Sequence, residues 1–233
     1  MKRSEKVSTD AGSITSLQDR IITCRMCPRL VEWRNRVAKE KVKRFADQEY
    51  WGKPVPSFGD PQARLLVIGL APAAHGGNRT GRIFTGDLSG DWLFRALHKA
   101  GFANQPQSIG RNDGLKLKDC YVTAAVRCAP PGNKPAPDET ANCRPYLLRE
   151  LELLTRLRVI VALGRFAFDA AIASVGLDRE GKRAQFKHGA ECKLARGITL
   201  IASFHPSQQN TFTGKLTEPM FDRIFSRTRK IIE

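Results

Sequence analysis

Four short runs rich in Val, Ile and Leu, at residues 64–70, 119–127, 157–163 and 197–204, constrain this chain more than any other feature. Most are apolar at successive positions, so both faces of each strand must be covered. That is the mark of parallel strands with helices on either side. Helical patterns fill the gaps where such a fold needs them. The spacing predicts helices over 14–39 (broken near Pro28), 87–100, 138–154 (interrupted or restarted at Pro145), 166–174 and 218–232. In the second of these, Leu88, Trp92, Leu93 and Leu97 form one stripe and Gly101 ends it. Alternating strands and helices define an α/β class whose ligands sit beyond the carboxyl ends of the strands.

A chain of 233 residues can bury one sizeable core. Residues 1–13 are expected to form a disordered basic tail ahead of one domain over 14–233. No run of about eighteen apolar residues occurs, so no membrane span is expected. The polar start lacks the apolar stretch of a signal peptide, and a cytoplasmic, nucleoid-associated monomer is the expectation. Charge narrows the partner. Thirty-nine Lys and Arg against twenty-three Asp and Glu leave a net +16, a field that attracts polyanions and points to nucleic acid.

Three distinctive stretches follow the predicted strands: "GLAPAAHGGNRTGRIFTGD" after the first, "CAPPGNKPAPDE" after the second and "HPSQQN" after the fourth. Gly76 and Gly81 have P-loop spacing, but Arg82 and Ile83 stand where that motif needs Lys and a hydroxyl, which excludes it. Glycine amides beside Arg79 and Arg82 could still hold a phosphodiester. Phe84, Asp87, Asn133 and His205 come from loops at one predicted sheet edge. An aromatic face, a carboxylate, an amide and an imidazole are the groups that stack, orient and polarise a flipped base.

Six cysteines without a secretory signal argue for metal or redox use rather than a disulfide framework. Cys24 and Cys27 form a CxxC, with Cys128 and Cys143 as a distant second pair. Four thiolates from two segments can hold zinc or a [4Fe–4S] cluster, and spacing alone does not choose. Cys120 and Cys192 read as ordinary thiols.

Together the three loops and the four cysteines resemble the family 5 (type b) uracil-DNA glycosylases, from about Cys24 to the C-terminal helix. The resemblance implies an α/β/α sandwich around a central, mostly parallel four-stranded sheet. It implies a [4Fe–4S] cluster on Cys24, Cys27, Cys128 and Cys143, in a structural role. It implies a monofunctional DNA repair enzyme that flips uracil from DNA and hydrolyses the N-glycosidic bond. The first loop has Ala71, Pro72, Ala73 and Ala74 where other branches place an acid or amide, and Ala124 stands where family 4 has an Asn.

The expected roles follow from those absences. His205 donates to the base O2 as negative charge builds there. Asp87 orients water or stabilises the sugar cation, in competition with a simple helix-capping role. Phe84 stacks on the base against the alternative of core packing, and Asn133 reads the base edge. The amides of Ala73 and Ala74 line the pocket floor. With no aromatic wall at Ala73, the pocket should also admit hydroxymethyluracil, ethenocytosine, hypoxanthine and xanthine. Arg79, Arg82, Lys134 and Lys215 are candidate phosphate contacts; Ser207, Gln208 and Gln209 face the DNA, the glutamines as a wedge. His98 and His188 have no expected role. The rival readings are a non-catalytic iron–sulfur nucleic-acid-binding protein and a metal-dependent nuclease.

Overall fold

The computed structural model describes residues 12–178 and 184–233, so most of the expected tail over 1–13 lies outside the described residues. In chain order the elements are α1 (Ile14–Ile22), α2 (Pro28–Glu40), β1 (Phe58–Gly59), β2 (Leu65–Gly69), α3 (Gly77–Thr80), α4 (Leu88–Lys99), β3 (Cys120–Ala124), α5 (Pro137–Leu153), β4 (Val159–Leu163), α6 (Arg165–Val175), β5 (Glu191–Lys193), β6 (Thr199–Ser203), α7 (Gln208–Phe212) and α8 (Glu218–Ile232).

The sheet order is β1-β3-β2-β4-β6-β5. Its centre is parallel: β2 pairs with β3 and β4, and β4 pairs with β6. These four are the expected strands, and every residue in them is buried. Two short edge strands, β1 and β5, add antiparallel pairs. The expected four-stranded sheet is therefore the core of a six-stranded one.

Strand periodicity divides the core into two layers. Leu65, Val67, Val122, Val159 and Val161 face one side, with Leu93, Leu97, Phe221 and Phe225 of α4 and α8. Leu66, Ile68, Tyr121, Ile160 and Leu200 face the other, with Leu147, Leu151 and Phe168 of α5 and α6. The result is the α/β/α sandwich.

Pro28 opens α2 at its first helical position, where a missing N–H costs nothing, so the CxxC falls in the break between α1 and α2. The expected interruption at Pro145 does not occur, and α5 runs through it without a break. Leu147 and Leu151, buried two and six residues later, hold the helix to the sheet despite the lost bond.

Beneath α5 lies a buried ion pair. Arg127 and Glu150, 2% and 0% exposed in their side chains, meet at 2.6 Å. Arg127 Nη1 also donates to Ser57 Oγ at 2.6 Å, and Thr123 Oγ1 donates to Glu150 Oε2 at 2.7 Å. The set ties the end of β3 to α5 and to the segment before β1. Removing one partner strands a charge in the core. Glu150→Ala should lower unfolding stability by about 3–5 kcal/mol, measured by urea denaturation at neutral pH.

Candidate active site

After Gly69 the chain leaves β2 and folds back on itself through short backbone bonds. Gly76 and Asn78 both donate N–H groups to the Ala73 carbonyl, at 3.3 and 3.0 Å, and start the single turn of α3. The loop encloses one wall of a cavity of about 280 Å³, lined by Ala73, Ala74, His75, Asp87 and Asn133 with Trp33 and Arg44. Ala73, Ala74, Asp87 and Asn133 were expected together, and the structure brings them together. Asn133, at φ 57°, stands exposed at the rim.

Asp87 fills the capping role that was one of its two expectations, and its second oxygen is turned toward the cavity wall. Its Oδ1 accepts the Gly90 N–H at 3.0 Å and caps α4. Its Oδ2 lies over Gly76, where a Cβ would collide with it, so this glycine is what lets the carboxyl reach the cavity wall. Burial raises the Asp87 pKa above the ordinary carboxylate value, which marks a group set into low-dielectric surroundings. On its other side a groove of about 490 Å³ is lined by Asp87, Leu88, Asp91, Ile109 and Gln208.

His205 and Phe84 form the second part of the site. Their rings stack with centroids 5.9 Å apart and planes inclined at 29°. Gly69 makes room for this: a Cβ there would lie 2.6 Å from the Phe84 ring. Phe84 itself has φ 51° and is only 7% exposed. Its ring is packed in the core under His205, rather than lying open as a platform for a base. Burial lowers the His205 pKa to about 4, so the imidazole is neutral at physiological pH and carries one N–H donor. The turn is fixed from behind: Asn210 Nδ2 donates to the His205 carbonyl at 2.8 Å, and Ser207 Oγ accepts the Asn210 N–H at 3.4 Å. Ser207 is thus a cap for α7, with Gln208 and Gln209 exposed in its first turn. His188 holds the same edge, its Nδ1 accepting the Phe204 N–H at 3.2 Å.

Two expected phosphate contacts are placed otherwise. Arg79 is buried, with Nε on the His75 carbonyl at 2.7 Å, Nη1 on Gln48 at 2.6 Å and Nη2 on the Gly86 carbonyl at 3.0 Å. Arg82 is buried in an ion pair with Asp113 and also donates to Thr85 and Ser108 at 3.0 and 2.7 Å. Both arginines brace loops from inside, because a guanidinium can satisfy several carbonyls and a carboxylate at once. Arg44 lines the cavity and is exposed, as are Lys134, next to Asn133 in sequence, and Lys215, whose ammonium lies over the Phe204 ring.

The four cysteines also converge. Cys24, Cys27, Cys128 and Cys143 line one small cavity with Leu30, Arg34 and Tyr146, and none is in a disulfide. Donors point at the sulfurs: Arg34 Nη1 reaches Cys128 Sγ at 2.9 Å and Asn142 Nδ2 reaches Cys27 Sγ at 3.5 Å. Burial raises the thiols of Cys27, Cys128 and Cys143. Burial thus favours the neutral thiols, and a bound cation would favour the thiolates. Among the described residues, no three His, Cys, Asp or Glu side chains form a group that could hold a single metal ion. Cys120 is buried in the sheet and Cys192 lies on β5, both away from this set.

Residues 56–229 match the family described as the uracil DNA glycosylase superfamily. The chain belongs to that superfamily, in its type-5 branch. A type-5 uracil-DNA glycosylase of Mycobacterium tuberculosis (strain CDC 1551 / Oshkosh) is 52% identical over 222 residues, covering 95% of this chain and 82% of the relative. Another, from Thermus thermophilus, is 49% identical over 211 residues, covering 91% of this chain and 94% of the relative. A type-4 uracil-DNA glycosylase of Archaeoglobus fulgidus is 32% identical over 161 residues, covering 66% of this chain and 70% of the relative.

Reading the sequence left out several residues that shape the cavity. His75 stands in the quoted loop, and its Nδ1 lies 3.1 Å from the Tyr50 hydroxyl. Burial, then Arg44 and Arg79, lower its pKa, so it too is neutral. Trp33 and Arg44 arrive from the segment before β1, far from any loop motif, and no sequence signal singled them out. Asp113 was also missed. Burial alone would raise its pKa, but Arg82 and three backbone N–H groups reverse this and hold the carboxyl well below its usual range. Its stabilising effect is therefore complete above the unfolded carboxylate pKa and is lost as pH falls toward the folded one. Asp113→Asn should cost about 3 kcal/mol at neutral pH. In thermal melts across a pH series, the gap to the parent should narrow below about pH 4.

Proposed function

We propose that this chain excises uracil from DNA by hydrolysing the N-glycosidic bond, leaving an abasic site and an intact strand. The observation that carries this reading is the neutral His205 seated on Phe84 at the sheet edge that also bears Asp87. As the bond breaks, charge builds on the base O2 and the sugar becomes cationic. A neutral imidazole carries one N–H, which can donate to that oxygen as its charge builds. The Asp87 carboxylate suits the second, or holds the attacking water, while its other oxygen keeps α4 capped. Asn133 at the rim supplies an amide for the base edge in place of Ala124, and the small Ala73 and Ala74 leave room for modified bases. Extra substrates among the deaminated purines, hydroxymethyluracil and ethenocytosine follow from that room. DNA is held by exposed Arg44, Lys134 and Lys215 with Gln208 and Gln209, so binding should weaken as salt rises.

The four cysteines fit a [4Fe–4S] cluster. Thiols disposed around a cavity, with N–H donors aimed at the sulfurs, suit several irons better than one zinc with all four sulfurs at about 2.3 Å from it. Cys24 and Cys27 of the α1–α2 turn, Cys128 of the β3–α5 connection and Cys143 of α5 would hold such a cluster, which would tie these three segments together. Arg34 and Asn142 would offset its thiolate charge through the bonds they already make.

Single-turnover cleavage of a uracil duplex, read after alkali, tests the chemistry. His205→Ala should slow it by about 10²–10³. Asp87→Asn preserves a capping oxygen, so it should lose at least roughly tenfold in rate with little change in Tm. Full activity in that variant would reduce Asp87 to a cap. Activity that depends on ionised Asp87 should fail on acidification at a higher pH than an ordinary carboxylate would set, since burial raises its pKa. For the cluster, the purified protein should be brown, and Cys128→Ser should lose the visible absorbance and iron content together. A colourless protein carrying zinc would refute that assignment.

A further inference from the structure

Ile109 is a large apolar side chain that the fold holds out in solvent, 74% exposed. The loop bearing it is nevertheless anchored at almost every neighbour. Asp113 Oδ2 accepts the N–H groups of Ile109 and Gly110 at 2.8 and 3.3 Å, and Oδ1 accepts that of Leu115 at 3.0 Å. The same carboxylate is clamped by buried Arg82, whose Nη2 also bonds Ser108 Oγ at 2.7 Å. Ser108, 1% exposed, accepts the Gly86 N–H on its carbonyl at 3.3 Å, so the residue before Ile109 is joined to the residue before Asp87. Ile109 then shares one groove with Asp87 and Gln208. Arg111, two residues on, stacks its guanidinium over Trp51 at 4.3 Å.

Exposed single apolar residues are common on proteins and ordinarily need no explanation. This one differs in its support. A buried ion pair, two hydroxyls and four backbone bonds fix a segment whose most exposed apolar member projects beside the carboxylate. Apolar wedges of this kind enter base steps and fill the space a displaced base leaves. Their benefit depends on being ordered beforehand, because a loose loop would lose that freedom on binding.

We propose that Ile109 is the wedge that occupies the duplex stack while the base is turned out toward Asp87 and His205. The proposal rests on the excision reading above and deepens it. It moves the wedge from Gln208 and Gln209, whose amides then face the polar edges and backbone across the groove.

The test compares three substrates in single turnover: uracil in a single strand, opposite guanine, and opposite adenine. Ile109→Ala should leave single-strand cleavage within about twofold of the parent, since no stack needs filling. Against duplex it should lose roughly tenfold, more opposite adenine than opposite guanine, because the mismatch opens at lower cost. Ile109→Ser should lose more, and Ile109→Leu should recover most of the rate. Fluorescence of 2-aminopurine placed beside the uracil should rise less with the Ala variant, reporting extrusion apart from chemistry. Equal loss on single and double strands, or no loss on duplex, would overturn the wedge. So would a duplex-only loss carried instead by Phe212→Ala, a strongly exposed side chain at the end of α7, at 76%. A parent inactive even on single-stranded uracil DNA would overturn the excision reading itself, and the wedge with it.

Discussion

Parallel pairing of β2 with β3 and β4, and of β4 with β6, is the constraint on which the rest of the molecule depends. It sends four carboxyl ends to one edge, so loops far apart in sequence must meet there. Gly69 ends β2, and its lack of a side chain admits Phe84, on which His205 rests at the end of β6. The Gly76 turn reached from β2 makes room for Asp87. Two glycines thus decide how closely Phe84 and Asp87 approach the loop that leaves β2.

A second feature is where the positive charge goes. The chain has a large surplus of Lys and Arg, yet Arg34, Arg79, Arg82 and Arg127 are buried. Each braces a loop or strand end with several hydrogen bonds. The interior ion pairs of Arg82 and Arg127 add little net stability compared with an apolar core, since desolvation offsets most of their attraction. What the buried arginines supply is placement: Arg82 fixes the loop of Ile109, Arg127 fixes the end of β3, and Arg34 meets Cys128. The site is therefore braced by buried charge, while Arg44, Lys134 and Lys215 are exposed.

Much of this was legible beforehand. The four core strands announced themselves because a strand covered on both faces must be apolar throughout. β1 and β5 did not, being two and three residues long, with "ECK" in β5 carrying no apolar pattern. Pro145 suggested a break that packing of Leu147 and Leu151 overrides. Asp87 was readable both as a cap and as a carboxylate that orients water or stabilises the sugar cation; one oxygen caps α4 and the other lies over Gly76. Arg79 and Arg82 looked like phosphate contacts because a loop arginine beside glycine carries no mark of whether it turns in or out.

The sequence by itself determined the α/β class, the layer each strand face would need, the break that carries the CxxC, and which loops would share an edge. Those follow from periodicity and from local backbone rules, which act over a few residues. Only the tertiary structure decided that Phe84 lies beneath His205, that His75, Trp33 and Arg44 complete the cavity, and that Arg82 grips Asp113. Each of these pairs groups from separate segments, and their contact depends on burial and on distances through space that no local pattern records.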